Sequence, residues 1–170
     1  MSAALGRSQA SSHSSPQGGG TSVHLLIRQA SEADLDDVLT LYLQSGLDSK
    51  VLEPAQARAL FRRFGDYPSY RLFVACDAQG GAVVGSYALL VMHNLAHSGT
   101  PSAIAEDVVV APDRQGQGIG RQLMAHALQQ AREAGCYKLA LSSNAKRQAA
   151  HAFYESLGFQ RHGLSFVIET

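Results

Sequence analysis

The strongest constraint on the fold is a run of glycines set between a strand pattern and an amphipathic helix pattern. Residues 104–110 (IAEDVVV) read as a strand. Residues 117–134 read as a helix in which Ile119, Leu123, Ala127 and Ala131 recur at four-residue intervals, with Met124 and Leu128 widening the stripe. Between them stands Ala111-Pro112-Asp113-Arg114-Gln115-Gly116-Gln117-Gly118-Ile119-Gly120-Arg121. Three glycines at a helix start weaken the helix, so the turn calls for another explanation. A glycine-rich strand-to-helix turn lets bare backbone N–H groups converge on an anion at the helix N-terminus. Arg114 and Arg121 add charge for a phosphate. The spacing excludes two familiar phosphate loops. Gly116-x-Gly118-x-Gly120 is not the G-x-G-x-x-G of dinucleotide-binding folds, and no Gly-Lys-Ser/Thr follows to make a P-loop.

Periodicity around this unit predicts an α/β domain over residues 23–170. Residues 24–28 form a short strand. Ser31 is the expected N-cap of a helix whose face is Leu35, Val38, Leu39, Tyr42 and Leu43, ended by Gly46. Pro54 opens a second helix lined by Ala57, Leu60, Phe61 and Phe64 and closed by Gly65. Strands over 72–76 and 83–91 join through a turn at 77–81. After Gly135 come a strand over 137–142, a helix over 149–157 stopped by Gly158, and terminal strands over 159–161 and 164–169. Residues 1–22 differ in kind: seven are Ser, four are Gly, and only Arg7 is charged. Such a segment cannot bury enough apolar surface to offset its ordering entropy, so a disordered tail is expected, and it lacks the apolar stretch of a secretory signal.

Charge balance narrows the function classes. Lys plus Arg is 14 and Asp plus Glu is 14. Net neutrality argues against nucleic acid and anionic membrane surfaces as partners. No apolar run is long enough to predict a transmembrane span. The cysteines, Cys76 and Cys136, are too few for a disulfide scaffold and suit a reducing cytoplasm.

Gln115-x-x-Gly118-x-Gly120, set between a strand and a long helix, resembles the acetyl-CoA pyrophosphate motif of the GNAT superfamily of N-acetyltransferases. Glu106-Asp107-Val108-Val109-Val110 is similar to the strand before that motif. Ala152-Phe153-Tyr154, followed by Leu157-Gly158-Phe159, resembles a second signature, a helix-borne Tyr before a Gly-Phe turn. The resemblance implies the GNAT fold, a mixed, mostly antiparallel central sheet flanked by helices. It implies transfer of the acetyl group of acetyl-CoA to a primary amine of a small molecule, by direct attack in a ternary complex. It also implies the residue roles. Val108, Val109 and Val110 lend backbone groups to the pantetheine and the acetyl carbonyl. Gln115, Gly116, Gln117, Gly118, Ile119, Gly120 and Arg121 hold the pyrophosphate. Asn144 and Tyr154 border the pantetheine arm.

The chemistry requires a neutral amine, donors for the developing oxyanion, and a proton for the departing thiolate. Tyr154 suits the last role. Glu106 suits the first, directly or through water. In a regular strand Glu106 shares a face with Val108 and Val110, and a β-bulge would move Asp107 onto that face instead. His93, His97 and Asp107 are the candidates for acceptor binding, and no metal is expected. The segment 141–154 and Asn94-Leu95-x-His97 are similar to aminoalkylphosphonate N-acetyltransferases. Glu106-Asp107 and Gly135-Cys136-Tyr137-Lys138 are similar to glucosamine-phosphate N-acetyltransferases. Both point toward small anionic amines, and the family resemblance implies a homodimer through late strands. Two other classes stand beside this one: a non-catalytic acyl-CoA-binding sensor, and an acetyltransferase acting on protein amines. Tyr154 and Glu106 favour catalysis over the sensor.

Overall fold

The computed structural model describes residues 24–78 and 81–168. The expected tail over 1–22, Val23, Gln79 and Gly80 of the expected turn, and Glu169 of the last expected strand lie outside the described residues. The chain runs β1 (Leu25–Gln29), α1 (Leu35–Ser45), α2 (Pro54–Arg63), β2 (Tyr70–Asp77), β3 (Val83–Met92), β4 (Ser102–Val110), α3 (Ile119–Glu133), β5 (Leu139–Ala140) and α4 (Gln148–Ser156).

The start of α1 follows from its polar residues. Asp34 reaches back to accept hydrogen bonds from the Ser31 backbone N–H at 2.7 Å and the Ser31 hydroxyl at 2.8 Å. The same carboxylate takes both arms of the Arg28 guanidinium, at 2.7 and 2.8 Å, and so ties α1 to β1. The buried stripe is Leu35, Val38 and Leu41. Leu41 replaces the expected Leu43, which is exposed along with Leu60 on α2. Gly65 does not end α2; the chain continues through a 3-10 turn, Phe64–Asp66. That turn sets Phe64 on Tyr70, with ring centroids 4.8 Å apart.

Asp34 binds protons more weakly folded than unfolded, first because of the Arg28 hydrogen bonds. Its contribution is therefore complete above the ordinary carboxylate range and is lost as pH falls below about 4. Asp34 is 7% exposed. Arg28 keeps 40% of its side chain in solvent, which discounts the pair. Asp34→Ala is expected to cost about 2 kcal/mol in denaturant melts at pH 7, shrinking as the pH approaches 3. A pH-independent loss would assign Asp34 to helix capping alone.

The five strands lie in the order β1-β2-β3-β4-β5. The first four pair antiparallel, and β5 pairs parallel to β4. α3 covers one face, packing Ile119, Leu123, Ala127 and Ala131 on Phe73, Tyr87, Leu89, Ala103 and Ala105. Leu128 lies at the edge of this stripe and is exposed. α3 sits close because Gly85 has no side chain: a Cβ there would meet Leu123 Cδ1 at 2.9 Å. α1 covers the other face, where Val38 meets Leu72 and Val74, and Leu41 meets Val109 and Ala111.

Two features of the sheet differ from expectation. First, β4 is not regular. Ser86 pairs with Val109 but Ala88 with Glu106, so Tyr87 faces both Asp107 and Val108. This is a β-bulge, and Asp107 sits in it with a left-handed φ of 50°. Second, the sheet stops at β5. The strand expected over 137–142 is only Leu139–Ala140. No strand forms over the described residues 159–168, where the terminal strands were expected. Leu164, Phe166, Val167 and Ile168 stand 84–90% exposed. A strand is stable only beside a partner edge that takes up its N–H and C=O groups, and no strand among the described residues is paired with this segment.

Candidate active site

The site begins where β4 and β5 part. They share only Ala103↔Leu139 and Ile104↔Ala140. Beyond that rung β4 continues to Val110 while β5 has ended. The β4 edge from Glu106 onward therefore faces a gap, with backbone donors and acceptors that no fifth strand takes up.

The glycine loop closes one end of that gap. Gly116 and Gly118 have φ of 76° and 81°, and Gly118 is the N-cap of α3. A Cβ on either would meet no heavy atom within 4 Å. Left-handed backbone and open space together let an anion approach the first N–H groups of α3. Gly120 contributes differently, since a Cβ there would stand 3.1 Å from Cζ of Phe153 and its smallness seats α4 against α3. Gln115 directs its side-chain amide at the Val110 carbonyl at 3.4 Å. Gln117 accepts from Arg114 at 3.2 Å and donates to the Asp113 carbonyl at 3.4 Å. Arg114 is not a free phosphate ligand, because Asp77 pairs with it at 2.9 Å. Arg121 is exposed and forms no ion pair among the described residues. Ile119 is buried and anchors the first turn of α3.

The bulge divides the expected acid–base pair between two faces. Ala103 and Ala105 belong to the α3-side core, so Glu106 lies on the α1 side. The extra residue at 107 returns Val108 and Val110 to the α3 side, and Val109 to the α1 side against Leu41. Glu106 therefore does not share a face with Val108 and Val110, contrary to the regular-strand expectation. Nor does the bulge carry Asp107 to them. Asp107 interacts electrostatically with Tyr42 and Tyr70, and Tyr42 packs in the α1-side core.

Electrostatics mark the α1 side. Burial raises the Asp107 carboxyl above its ordinary value, and the neighbouring Asp48 charge raises it further. Burial pushes the Tyr42 phenol up to about 12, with Asp107 adding to the shift. The Ser86 hydroxyl opposes it, although its contact with Tyr42 falls short of full hydrogen-bond geometry. Tyr70 is raised by burial, then by Asp107 and Glu106. Sequence reading assigned Tyr42 to packing and passed over Asp48 and Tyr70. The available signal was the phenol, a polar tip on an apolar stripe.

Tyr154 stands on the opposite side. α4 packs it into the α3-side core that also holds Val108, Val110, Leu139 and Leu141. Its ring meets Phe153 at 5.2 Å and Phe159 at 5.9 Å. Burial raises its phenol, with Arg147 opposing. Asn144 is engaged in an Asx turn, its Oδ1 accepting from the Lys146 N–H at 2.9 Å. His93 and His97 lie at the β3–β4 turn, away from the glycine loop, and the His97 ring lies tilted against Tyr137 with centroids 4.4 Å apart. Among the described residues no group of three or more His, Cys, Asp or Glu side chains is arranged to hold a metal ion.

The family described as Acetyltransferase (GNAT) family matches residues 35–159. The chain is 33% identical over 142 residues to the glucosamine 6-phosphate N-acetyltransferase of Trypanosoma brucei brucei, spanning 82% of this chain and 92% of that protein. It is 34% identical over 144 residues to the aminoalkylphosphonate N-acetyltransferase of Salmonella typhimurium, spanning 83% and 88%. A solved structure of a putative acetyltransferase from Agrobacterium tumefaciens superposes with a TM-score of 0.80 at 34% identity, covering 85% of this chain and 99% of that one.

Proposed function

The chain belongs to the Acetyltransferase (GNAT) family, and on that premise we propose that it transfers the acetyl group of acetyl-CoA to a primary amine of a small molecule, the amine attacking directly in a ternary complex. One observation carries the reading: the unpaired β4 edge has carboxylates on one side and a phenol on the other, with an anion-binding glycine loop at its end. Relatives named for glucosamine 6-phosphate and aminoalkylphosphonates support a small amine as acceptor.

Acetyl-CoA, when bound, supplies an activated acetyl group on a thioester. Val108, Val109 and Val110 offer backbone groups along the gap, and a β4 N–H serves as oxyanion donor. Gln115, Gly116, Gln117, Gly118, Ile119, Gly120 and Arg121 form the pyrophosphate cradle, with Asn144 across the gap. Glu106 and Asp107 receive the amine from the α1 side and take its proton. Tyr154 donates a proton to the thiolate from the other side. Burial and Asp48 raise the proton affinity of the Asp107 carboxylate, which suits it to accept that proton. Asp107→Asn is expected to lower kcat about tenfold at pH 7, with a smaller loss in Glu106→Gln. Steady-state rates read this, and the reverse order would return the role to Glu106.

Thiol release from acetyl-CoA across amino sugars, aminoalkylphosphonates, polyamines and amino acids tests the function. Turnover with at least one is expected. Acetyl-CoA binding without transfer to any amine would favour a sensor. Transfer confined to protein N-termini or lysines would favour a protein acetyltransferase.

The proposal includes a cytoplasmic homodimer. Free Cys76 and Cys136 suit a reducing compartment. The exposed Leu164, Phe166, Val167 and Ile168 and the outer edge of β5 are complementary, and a second copy can satisfy both. Ending the chain after Gly163 is expected to convert a dimer to a monomer in light scattering. A full-length monomer would remove the dimer from the reading.

A further inference from the structure

A cavity of about 380 Å³ lies at the closed end of the split. His93, Asn94, His97, Ile104, Tyr137 and Lys138 contribute to its wall. Ile104 and Ala140, which also lines it, form the last β4–β5 rung. The cavity therefore begins where the strands separate. Glu106 follows Ile104 by two residues on the same face, roughly 7 Å along the strand.

Charge divides along this line. Glu106, Asp107 and Asp48 stand at the amine end. No carboxylate among the described residues lines the cavity, which carries Lys138, His93 and His97 instead. Tyr137 holds two of these groups in position. The His97 ring lies tilted at 35° against it, centroids 4.4 Å apart, and the Lys138 Nζ lies 5.4 Å from its ring centre. His97 and Ser98 adopt left-handed φ of 54° and 58°, uncommon for residues other than glycine. Asn94 fixes the loop side of the wall, donating through Nδ2 to the Thr100 carbonyl at 3.0 Å.

We propose that this cavity is the distal subsite of the acceptor. The preferred substrate is a primary amine that carries an oxyanion, whether phosphate, phosphonate or carboxylate, about 7–10 Å from its nitrogen. Lys138 and His97 engage the oxyanion. The inference rests on the acetyl-transfer reading and adds to it a location and a charge.

The test compares full-length wild type with Lys138→Glu and Lys138→Gln. ω-Amino carboxylates and ω-aminoalkylphosphonates of increasing length are set against uncharged amines of matched length, and kcat/KM is measured for each. Wild type is expected to favour the anionic series at an intermediate length. The anionic-to-neutral ratio should fall about tenfold or more in Lys138→Glu, and less in Lys138→Gln. A ratio that does not move, or no preference for the anionic series, overturns the subsite. If no amine is acetylated, calorimetry of the same compounds in the presence of CoA reads the cavity separately. Weaker binding of the anionic amines to Lys138→Glu then keeps the subsite while the acetyl-transfer reading fails. Equal binding overturns the subsite.

Discussion

Gly118→Glu is expected to weaken acetyl-CoA binding by at least a hundredfold while leaving the chain folded. Gly118 caps α3 with φ of 81°, and the space around its missing Cβ is open. The substitution acts in two ways. A side chain at that φ strains the backbone by about 1–2 kcal/mol, a cost borne by stability. The carboxylate then occupies the ground where the first N–H groups of α3 would meet a phosphate. Two like charges about 4 Å apart near a protein surface repel by about 4 kcal/mol, close to a thousandfold in affinity. Charge therefore outweighs strain. Gly118→Asn separates them, because Asn tolerates left-handed backbone and adds bulk without charge. About a tenfold loss is expected there. Calorimetry with acetyl-CoA, beside a thermal melt of each variant, reads both effects. Unchanged affinity in Gly118→Glu would remove the pyrophosphate from the glycine loop.

Residue pattern alone carried the loop and the helices but not the division of the site between two faces. The glycines of 116–120 announce themselves because they contradict the helix that follows. Their separate roles are not equally legible. Gly116 and Gly118 take left-handed backbone, whereas Gly120 makes room for Phe153, a contact thirty-three positions away in the chain. The bulge at Asp107 leaves no local signature in IAEDVVV, since it arises from how β3 and β4 align across Tyr87. One inserted residue reverses the face of every residue after it. A regular strand would have set Glu106 beside Val108 and Val110. The bulge sets the carboxylates facing α1 and the valines facing Tyr154. Arg114 shows the same limit, because its partner Asp77 lies on β2. The late strands fail for a further reason. Their apolar, β-branched composition fits a strand, but a strand also needs a partner edge, and no strand among the described residues pairs with this segment.

That two-sided arrangement bears on chemistry. A proton leaves the ammonium as the bond forms, and another reaches sulfur as the thiolate departs. One group serving both events would have to reach both the attacking nitrogen and the departing sulfur. Groups on opposite faces of a gap let each event keep its own partner. The acidic side also attracts an ammonium before it is deprotonated, which raises its local concentration beside β4.

Tyr154→Phe is expected to lower kcat by about 100- to 1000-fold, within the roughly 10²- to 10⁴-fold typical of a positioned general acid. The substitution keeps the ring, and with it the contacts to Phe153 and Phe159, so the melting temperature should hardly move. Only the hydroxyl is lost. If the phenol acts only as the thiolate leaves, kcat and kcat/KM fall together, since a transition-state interaction has gone. Proton affinity adds an independent check. Burial raises Tyr154 above the ordinary phenol value, so it remains protonated throughout the neutral range. The donating form is present below that raised value and disappears as pH climbs through it. Wild-type kcat should therefore show an alkaline limb above about pH 10, and Tyr154→Phe should lack it. A variant with the wild-type rate would return Tyr154 to packing. A slowed variant that keeps the limb would assign the alkaline titration elsewhere, with Tyr42, pushed up to about 12, as the next phenol facing the gap from the acceptor side.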